Sequence, residues 1–186
     1  MKTLELQTQK SFEPEIIRTK IEDVVARDLT VDDLGNLKEM FEQNETFFAQ
    51  GGMFTDSLYK MIEKEINSDA PNINRRLGVW ESDKLIGIVS VNPFEHGEPN
   101  EVEISGGGAK EFARRGIAFA VAEAIIDDEN DRGNDVVAEV EPYNIASKRL
   151  LGKLGFELTN RQTPDERDLY IHEAWDEDKL RRKFGF

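Results

Sequence analysis

The sequence contains no cysteine and only two histidines among its 186 residues. Without cysteine there is no disulfide framework, no thiolate nucleophile and no cysteine-ligated metal site. His96 and His172 lie far apart in the sequence, so a histidine-rich metal site is not expected either. We therefore predict a fold that is held together by side-chain packing, with no bound metal.

Long hydrophobic runs are also absent. No stretch approaches the ~20 apolar residues that a membrane-spanning helix requires, and the first residues contain no apolar run of signal-peptide length. The sequence therefore predicts a cytoplasmic protein that does not bind membranes.

Positive charge is scarce, because 24 Lys and Arg stand against 38 Asp and Glu and give a formal net charge of −14. Such a chain repels the phosphates of nucleic acids and of anionic membranes, so neither is an expected partner. The excess negative charge has two interpretations. It favours solubility or adaptation to salt, or it attracts a cationic acceptor such as an amine or a basic protein.

The spacing of apolar residues predicts a mixed α/β fold with a largely antiparallel first half, in the order β-α-α-β-β-β-α-β-α-β-β. The length suits a single domain, which we assign to residues 20–186, and residues 1–19 are an N-terminal arm or an extra edge strand. Strands are predicted at 20–29, 77–82, 84–92, 101–105, 136–142, 157–162 and 167–175. Helices are predicted after the cap-type residues Thr30 and Thr55 or Asp56, from Phe112 to Asp128, and from Ala146 to Leu154.

The start of the longest predicted helix is a candidate anion site, with the sequence RRGIA over Arg114–Ala118. A helix N-terminus presents unpaired backbone N–H groups, Gly116 permits close approach, and Arg114 and Arg115 add positive charge. A solvated basic turn is the alternative. The nucleotide-binding pattern GxxxxGK[ST] is missing, and the adjacent glycines Gly106–Gly108 do not match the spacing of a dinucleotide fingerprint.

Three successive glycines, Gly106, Gly107 and Gly108, follow the fourth predicted strand. Glycine weakens a strand, so such a run marks either the close approach of another group, such as a ligand, or a bulge or mobile turn. Further along, Asn144 follows the fifth predicted strand and is a natural N-cap, with Ser147 three residues later. These polar groups either only start the helix or face the ends of the fourth and fifth strands.

These two segments resemble the motifs of the GNAT superfamily of acetyl-CoA-dependent N-acetyltransferases, in the branch with the ribosomal-protein N-terminal acetyltransferases. Residues 103–118 align without a gap to the family pattern E-I-G-Y-x-L-x-P-x-Y-R-G-x-G-I-A, and residues 144–156 match N-x-A-S-x-x-(L/V)-(L/M)-x-K-L-G-F. The element order fits the family from near Val24 to Trp175, about 150 residues. The family pattern is broken at Gly106, Gly107, Ala113 and Arg114.

The resemblance implies a mainly antiparallel, twisted sheet flanked by helices, with the fourth and fifth strands splayed around acetyl-CoA. The pantetheine arm would bind along Gly106, Gly107 and Gly108, and Asn144 would contact the cofactor near its reactive end. The pyrophosphate would bind the turn that comprises Ala113, Arg114, Arg115, Gly116, Ile117 and Ala118.

The same resemblance implies the catalytic residues. Ser147 would protonate the departing thiolate, because the tyrosine that does so in many relatives falls at Leu151, and Glu103 would act as the base, with His172 and Glu173 as rivals. The acceptor would be a primary amine of a small molecule or of a protein N-terminus, attacking directly because no cysteine can form an acyl-enzyme. Homodimers are common in the family, so the resemblance makes a homodimer an expected assembly. The alternative function is a catalytically degenerate CoA-binding or interaction domain of the same fold.

Overall fold

The computed structural model describes residues 15–50, 55–68 and 74–174. The strands are β1 (Ile16–Arg18), β2 (Val24–Asp28), β3 (Arg75–Glu81), β4 (Lys84–Pro93), β5 (Glu101–Gly108), β6 (Asp135–Val140), β7 (Glu157–Gln162) and β8 (Asp168–His172). The helices are α1 (Leu34–Gln50), α2 (Thr55–Ile66), α3 (Ile117–Asp131) and α4 (Ile145–Lys153).

The eight strands form one sheet in the order β1-β2-β3-β4-β5-β6-β8-β7. Neighbouring strands pair antiparallel except β5 and β6, which are parallel. The predicted mixed α/β fold with a mainly antiparallel sheet is therefore confirmed. Ile16–Arg18 forms an edge strand on β2, so the fourth and fifth predicted strands are β5 and β6. Residues 1–14 and Trp175, the predicted end of the last strand, lie outside the described residues.

Alternation along the strands gives the sheet two apolar faces. On one face, Leu77 and Val79 of β3 pack in a cluster with Ile117, Val121 and Ile125 of α3, and we call this side the α3 face. On the other side, the α1 face, a second cluster joins α1 and α2 to the sheet; its buried members include Leu37, Met40, Phe41, Ile62, Trp80, Leu85 and Ile88. The helices thus cover both faces and leave the strand ends as the place for a site.

Several predicted boundaries differ from the structure, among them the start of the first strand, which is Val24 and not Lys20, and two differences bear on the site. The longest helix begins at Ile117 and not at Phe112, because Arg114 (φ 64°) and Gly116 (φ 76°) adopt left-handed backbone conformations that a right-handed helix cannot contain. The strand predicted to end at Ser105 continues to Gly108, because β4 pairs with it as far as Gly87.

The start of α1 depends on Asp33, whose side chain is only 7% exposed. Arg27 donates two hydrogen bonds of 2.8 Å to its carboxylate, and the backbone and hydroxyl of Thr30 donate two more, of 2.8 and 2.9 Å. Burial alone would raise the pKa of Asp33, but the hydrogen bonds from Arg27 and Thr30 outweigh burial and lower the pKa below its usual value. This carboxylate therefore stabilises the fold in its charged form.

Replacing Asp33 with asparagine is expected to lower the free energy of unfolding by about 2 kcal/mol at pH 7. Because the folded-state pKa is depressed, the contribution is present above the unfolded pKa of about 3.9 and is lost as the pH falls through the folded pKa. Urea unfolding at several pH values should show the difference between wild type and variant shrinking below about pH 4. Asp32→Asn, at the exposed neighbouring position, is the control. An undiminished difference at pH 3 would contradict the electrostatic explanation.

Candidate active site

A gap opens in the sheet between β5 and β6. The two strands pair only where Glu101, Val102 and Glu103 lie beside Asp135, Val136 and Val137. Beyond these pairs, β5 continues to Gly108 and β6 to Val140 without being paired to each other. The predicted splaying of these strands is therefore confirmed, and one edge of β5 is left without a strand partner.

Backbone alternation tells which groups of β5 face this gap. The amide of Ala109 donates to the Ile86 carbonyl at 2.8 Å, and the Glu101 carbonyl accepts from Phe94 at 2.9 Å, so the odd-numbered residues of β5 face β4. The even-numbered Gly106 and Gly108 therefore direct their N–H and C=O groups toward the gap. Gly107 was predicted to bond the pantetheine arm as well, but its backbone groups face β4.

Gly106 and Gly108 of β5 are required by the packing of the strand itself. A Cβ atom on Gly106 would lie 2.5 Å from the carbonyl oxygen of Ile88, and one on Gly108 would lie 2.4 Å from the ring of Phe112. The register between β4 and β5 is continuous through all three glycines, so there is no bulge. The run of glycines therefore marks a close approach, in which β4 and Phe112 are the neighbours that the structure contains.

The turn after β5 leads into the N-terminus of α3. A short 3₁₀ turn, Lys110–Phe112, precedes the left-handed Arg114, and Gly116 is the N-cap of α3. Glycine has no side chain with which to cap, so the amides of Ile117 and Ala118 have no acceptor within the helix. Nothing lies within 4 Å of the position that a Cβ of Gly116 would occupy. An anion has open access to these amides and to the positive end of the helix dipole.

The two arginines of this turn have different environments. Arg115 donates two hydrogen bonds to the carboxylate of Glu81, one at 3.0 Å, and Arg115 lowers the pKa of Glu81. Arg114 is exposed and forms no ion pair with the described residues. Both were predicted to bind the cofactor, but the structure engages Arg115 with the β3–β4 hairpin and leaves Arg114 available for an anion.

The other side of the gap is formed by the start of α4. Asn144 caps this helix, because its side-chain oxygen accepts a 3.1 Å hydrogen bond from the amide of Ser147. The hydroxyl of Ser147 is half-buried and makes no hydrogen bond with the described residues. The structural role of Asn144 is thus confirmed, and the Ser147 hydroxyl has no structural partner that would occupy its proton.

Glu103 lies at the junction where β5 and β6 separate. It is half-buried, it is paired with Val137 on β6 and Asn92 on β4, and it forms no ion pair with the described residues. Burial raises the pKa of Glu103, and the nearby charge of Glu139 raises the pKa further. A carboxylate with a raised pKa is a stronger base than an exposed glutamate.

The rival bases lie elsewhere. His172 is paired with Val136, which packs on the α3 face, and the ring of His172 contacts Phe156 at 5.5 Å between centroids. Glu103 is paired with the next residue, Val137, and points to the opposite face of the sheet. Glu173 follows β8 beside the first residue of β6, at the end of the strand remote from the gap. Neither rival shares the surroundings of Glu103.

Two charged residues near Glu103 were not predicted from the sequence. Glu139 lies on β6 with a side chain that is 12% exposed, and Arg167, just before β8, forms an ion pair with it at 3.4 Å. The sequence VVAEVE carried a signal, because strand alternation places Glu139 on the same face as the apolar Val137.

Among the described residues, no group of three or more His, Cys, Asp or Glu side chains is arranged to hold a metal ion, and no helix has the length and apolar character to cross a membrane.

Comparison with solved structures shows the same fold in acetyltransferases. The chain superposes on RimL, a ribosomal L7/L12 alpha-N-protein acetyltransferase in complex with coenzyme A, with a TM-score of 0.70, 16% identity and coverage of 86% of this chain and 98% of that one. The enzyme from Salmonella typhimurium that modifies the N-terminal serine of L7/L12 superposes with a TM-score of 0.69 and 16% identity, over 86% of this chain and 99% of that one. MccE, a microcin C7 self-immunity acetyltransferase in complex with acetyl-CoA and AMP, superposes with a TM-score of 0.66 and 16% identity, over 82% of this chain and 93% of that one.

At this identity the superpositions establish the fold, and the family is established by the sequence. No curated protein sequence matches the chain significantly. The model of the acetyltransferase (GNAT) domain, however, matches residues 23–157, which include β5, the turn before α3, and α4. The chain therefore belongs to the GNAT acetyltransferase family.

Proposed function

We propose that this chain transfers the acetyl group of acetyl-CoA to a primary amine by direct attack of the neutral amine. The gap between β5 and β6 is the observation that carries this proposal, because it combines a free strand edge with polar groups on both sides. Gly106 and Gly108 offer backbone groups to an extended pantetheine arm, and the uncapped start of α3 offers amides to the pyrophosphate. Asn144 and Ser147 lie where β6 leads into α4.

The chemistry requires two proton transfers. Glu103 takes a proton from the acceptor ammonium, directly or through a water molecule, so that the nitrogen can attack the thioester carbonyl. A backbone amide of β5 stabilises the negative charge that develops on the carbonyl oxygen. As the C–N bond forms and the C–S bond breaks, Ser147 donates its hydroxyl proton to the thiolate and takes up, directly or through water, the proton that the attacking nitrogen loses when it becomes an amide. The chain has no cysteine that could carry the acetyl group in between.

The acceptor that we propose first is the N-terminal amine of a protein. Two of the superposed structures are enzymes described as acting on ribosomal protein L7/L12. The net charge of −14 supports a cationic partner, because it attracts an ammonium group or a basic segment by long-range electrostatics. Small cationic amines are the second class to test.

Release of free thiol from acetyl-CoA, measured against a panel of peptides and small amines, tests the proposal. Thermal unfolding with acetyl-CoA is the companion measurement, since a ligand at 100 times its Kd stabilises by about 2.7 kcal/mol. Stabilisation together with thiol release on an amine supports the proposal. Stabilisation without thiol release on any acceptor would instead favour the catalytically degenerate CoA-binding domain. No stabilisation at all would contradict both functions.

A variant at Arg114 separates charge from backbone conformation. Arg114→Gly is expected to weaken acetyl-CoA binding by about three- to fivefold, because it removes an exposed cation that forms no ion pair with the described residues and lies two residues before the N-cap of α3. The melting temperature should not fall, since glycine adopts the observed φ of 64° without strain. Calorimetric titration of acetyl-CoA at low and high salt measures the effect, and the difference should shrink at high salt. Arg114→Lys, which keeps the charge, is the control. Equal affinities of all three proteins would show that Arg114 does not contact the phosphates.

A further inference from the structure

Glu103 and Glu139 form a pair of carboxylates across the β5–β6 junction. Glu103 lies opposite Val137, and Glu139 is two residues further along β6, so both side chains project from the same face of the sheet. They are therefore diagonal neighbours, close enough for their charges to interact. Glu139 is mostly buried, which weakens the screening of its charge by solvent.

Arg167 holds the second carboxylate of this pair. Its guanidinium lies 3.4 Å from Glu139 and 3.0 Å from Glu141. The backbone of Arg167 is fixed by Thr163, whose buried hydroxyl accepts a 2.7 Å hydrogen bond from the Arg167 amide and donates one of 3.2 Å to the Arg167 carbonyl. The turn between β7 and β8 thus fixes the backbone from which this positive charge is presented to β6.

Other charged groups also lie near Glu103. Glu101, two residues earlier on the same face of β5, accepts two hydrogen bonds, of 2.6 and 2.8 Å, from Arg161 of β7, so its charge is paired. Glu95, in the loop between β4 and β5, raises the pKa of Glu103 in the same direction as burial and Glu139, and Arg167 lowers the pKa. On the β4 side, Asn92 separates Glu103 from Arg76, and Arg76 is neutralised by two hydrogen bonds of 2.8 and 3.0 Å to Glu65 of α2. Glu139 and Arg167 are therefore the pair with opposite effects on Glu103.

We propose that Glu139 and Arg167 are positioning residues that set how strongly Glu103 holds a proton. Glu139 opposes ionisation of Glu103 across the junction, and Arg167, which pairs with Glu139 at 3.4 Å, favours it. One negative and one positive charge, paired with each other beside Glu103, thus act on its proton in opposite directions. This coupling of charges does not depend on the proposed function. Only the purpose of the proton transfer, which is to deprotonate the acceptor amine, rests on the proposed function.

The test is a pair of variants with opposite expected effects on the titration of Glu103. Glu139→Gln removes a negative charge and should lower the titration midpoint of Glu103, whereas Arg167→Met removes a positive charge and should raise the midpoint, each by about half a pH unit or more. The carboxyl carbon of Glu103, assigned with the help of Glu103→Gln, is followed by carbon NMR in selectively labelled protein. The acid limb of kcat/KM should move in the same directions as the midpoint.

Glu157→Gln, at an exposed position on β7, is the matched control and should change neither measurement. Where Arg167→Met does not fold, Thr163→Val takes its place, since it releases the backbone of Arg167 and should shift the midpoint in the same upward direction. Midpoints that stay within 0.2 pH units of wild type, or that move in the same direction in both variants, would overturn the proposal. Because the NMR titration needs no acceptor, opposite shifts without acetylation of any amine would leave the coupling standing and reject the proposed function alone.

Discussion

Glu103→Gln is expected to lower kcat/KM for the amine by about 100-fold or more, the usual contribution of a general base. Glutamine has nearly the shape of glutamate but cannot accept the proton of an ammonium group. The side chain makes no ion pair with the described residues, so the substitution disturbs no structural partner. Thiol release measures turnover, and calorimetric titration of acetyl-CoA, whose affinity should not change, measures binding.

The stability of the same variant has a predictable sign. The pKa of Glu103 is raised above the unfolded value, about 4.3, so the folded state favours the protonated carboxyl. Its contribution to stability is present at low pH and is lost as the pH rises through the folded pKa. At pH 7 the ionised side chain opposes folding, and Glu103→Gln should melt at the same temperature as wild type or higher. The control Glu157→Gln should keep both activity and melting temperature. A Glu103→Gln enzyme with more than a tenth of wild-type turnover would reject Glu103 as the base.

Local signals in the sequence predicted the elements that begin and end with a marked residue. Helix α4 was predicted within one residue at each end, because Asn144 caps its start and Gly155, at φ 86°, follows its end. The β3–β4 hairpin was likewise marked by the turn residues Ser82 and Asp83. In these places the residues adjacent in sequence are sufficient to determine the backbone conformation.

Features that join distant segments were not predictable in this way. Arginine is a residue type that commonly binds phosphate, yet Arg115 pairs with Glu81. Glu81 lies 34 residues earlier in the sequence and is brought beside Arg115 only by the folding of the sheet. The neighbours of Glu103 depend on the parallel register of β5 with β6 and on the position of β8 between β6 and β7. The periodicity of a strand predicts which face of the sheet each residue lies on, but it does not predict the order of the strands. The contact between Glu139 and Arg167 could therefore not be predicted.

Ser147→Ala is expected to lower kcat by about 100-fold while leaving the affinity for acetyl-CoA within a factor of two, because the hydroxyl is needed only when the thiolate departs. The fold should be unaffected. The amide of Ser147, which Asn144 binds, is retained in alanine, and alanine is a better helix former than serine. Single-turnover kinetics with acetyl-CoA bound in advance would assign the loss to the chemical step.

Two further variants separate a chemical role of Ser147 from a structural one. Ser147→Thr keeps a hydroxyl at the same carbon and should recover a large part of the turnover that alanine loses. Asn144→Ala removes the cap and is expected to lower the free energy of unfolding by about 1 kcal/mol, whereas Ser147→Ala should not destabilise the fold at all. If Ser147→Ala turns over at the wild-type rate, the proton of the leaving thiolate comes from solvent. If instead Ser147→Ala loses stability and activity in proportion, as Asn144→Ala would, the residue serves the helix. Only a loss of turnover at unchanged stability and affinity, restored by threonine, identifies the hydroxyl as the acid.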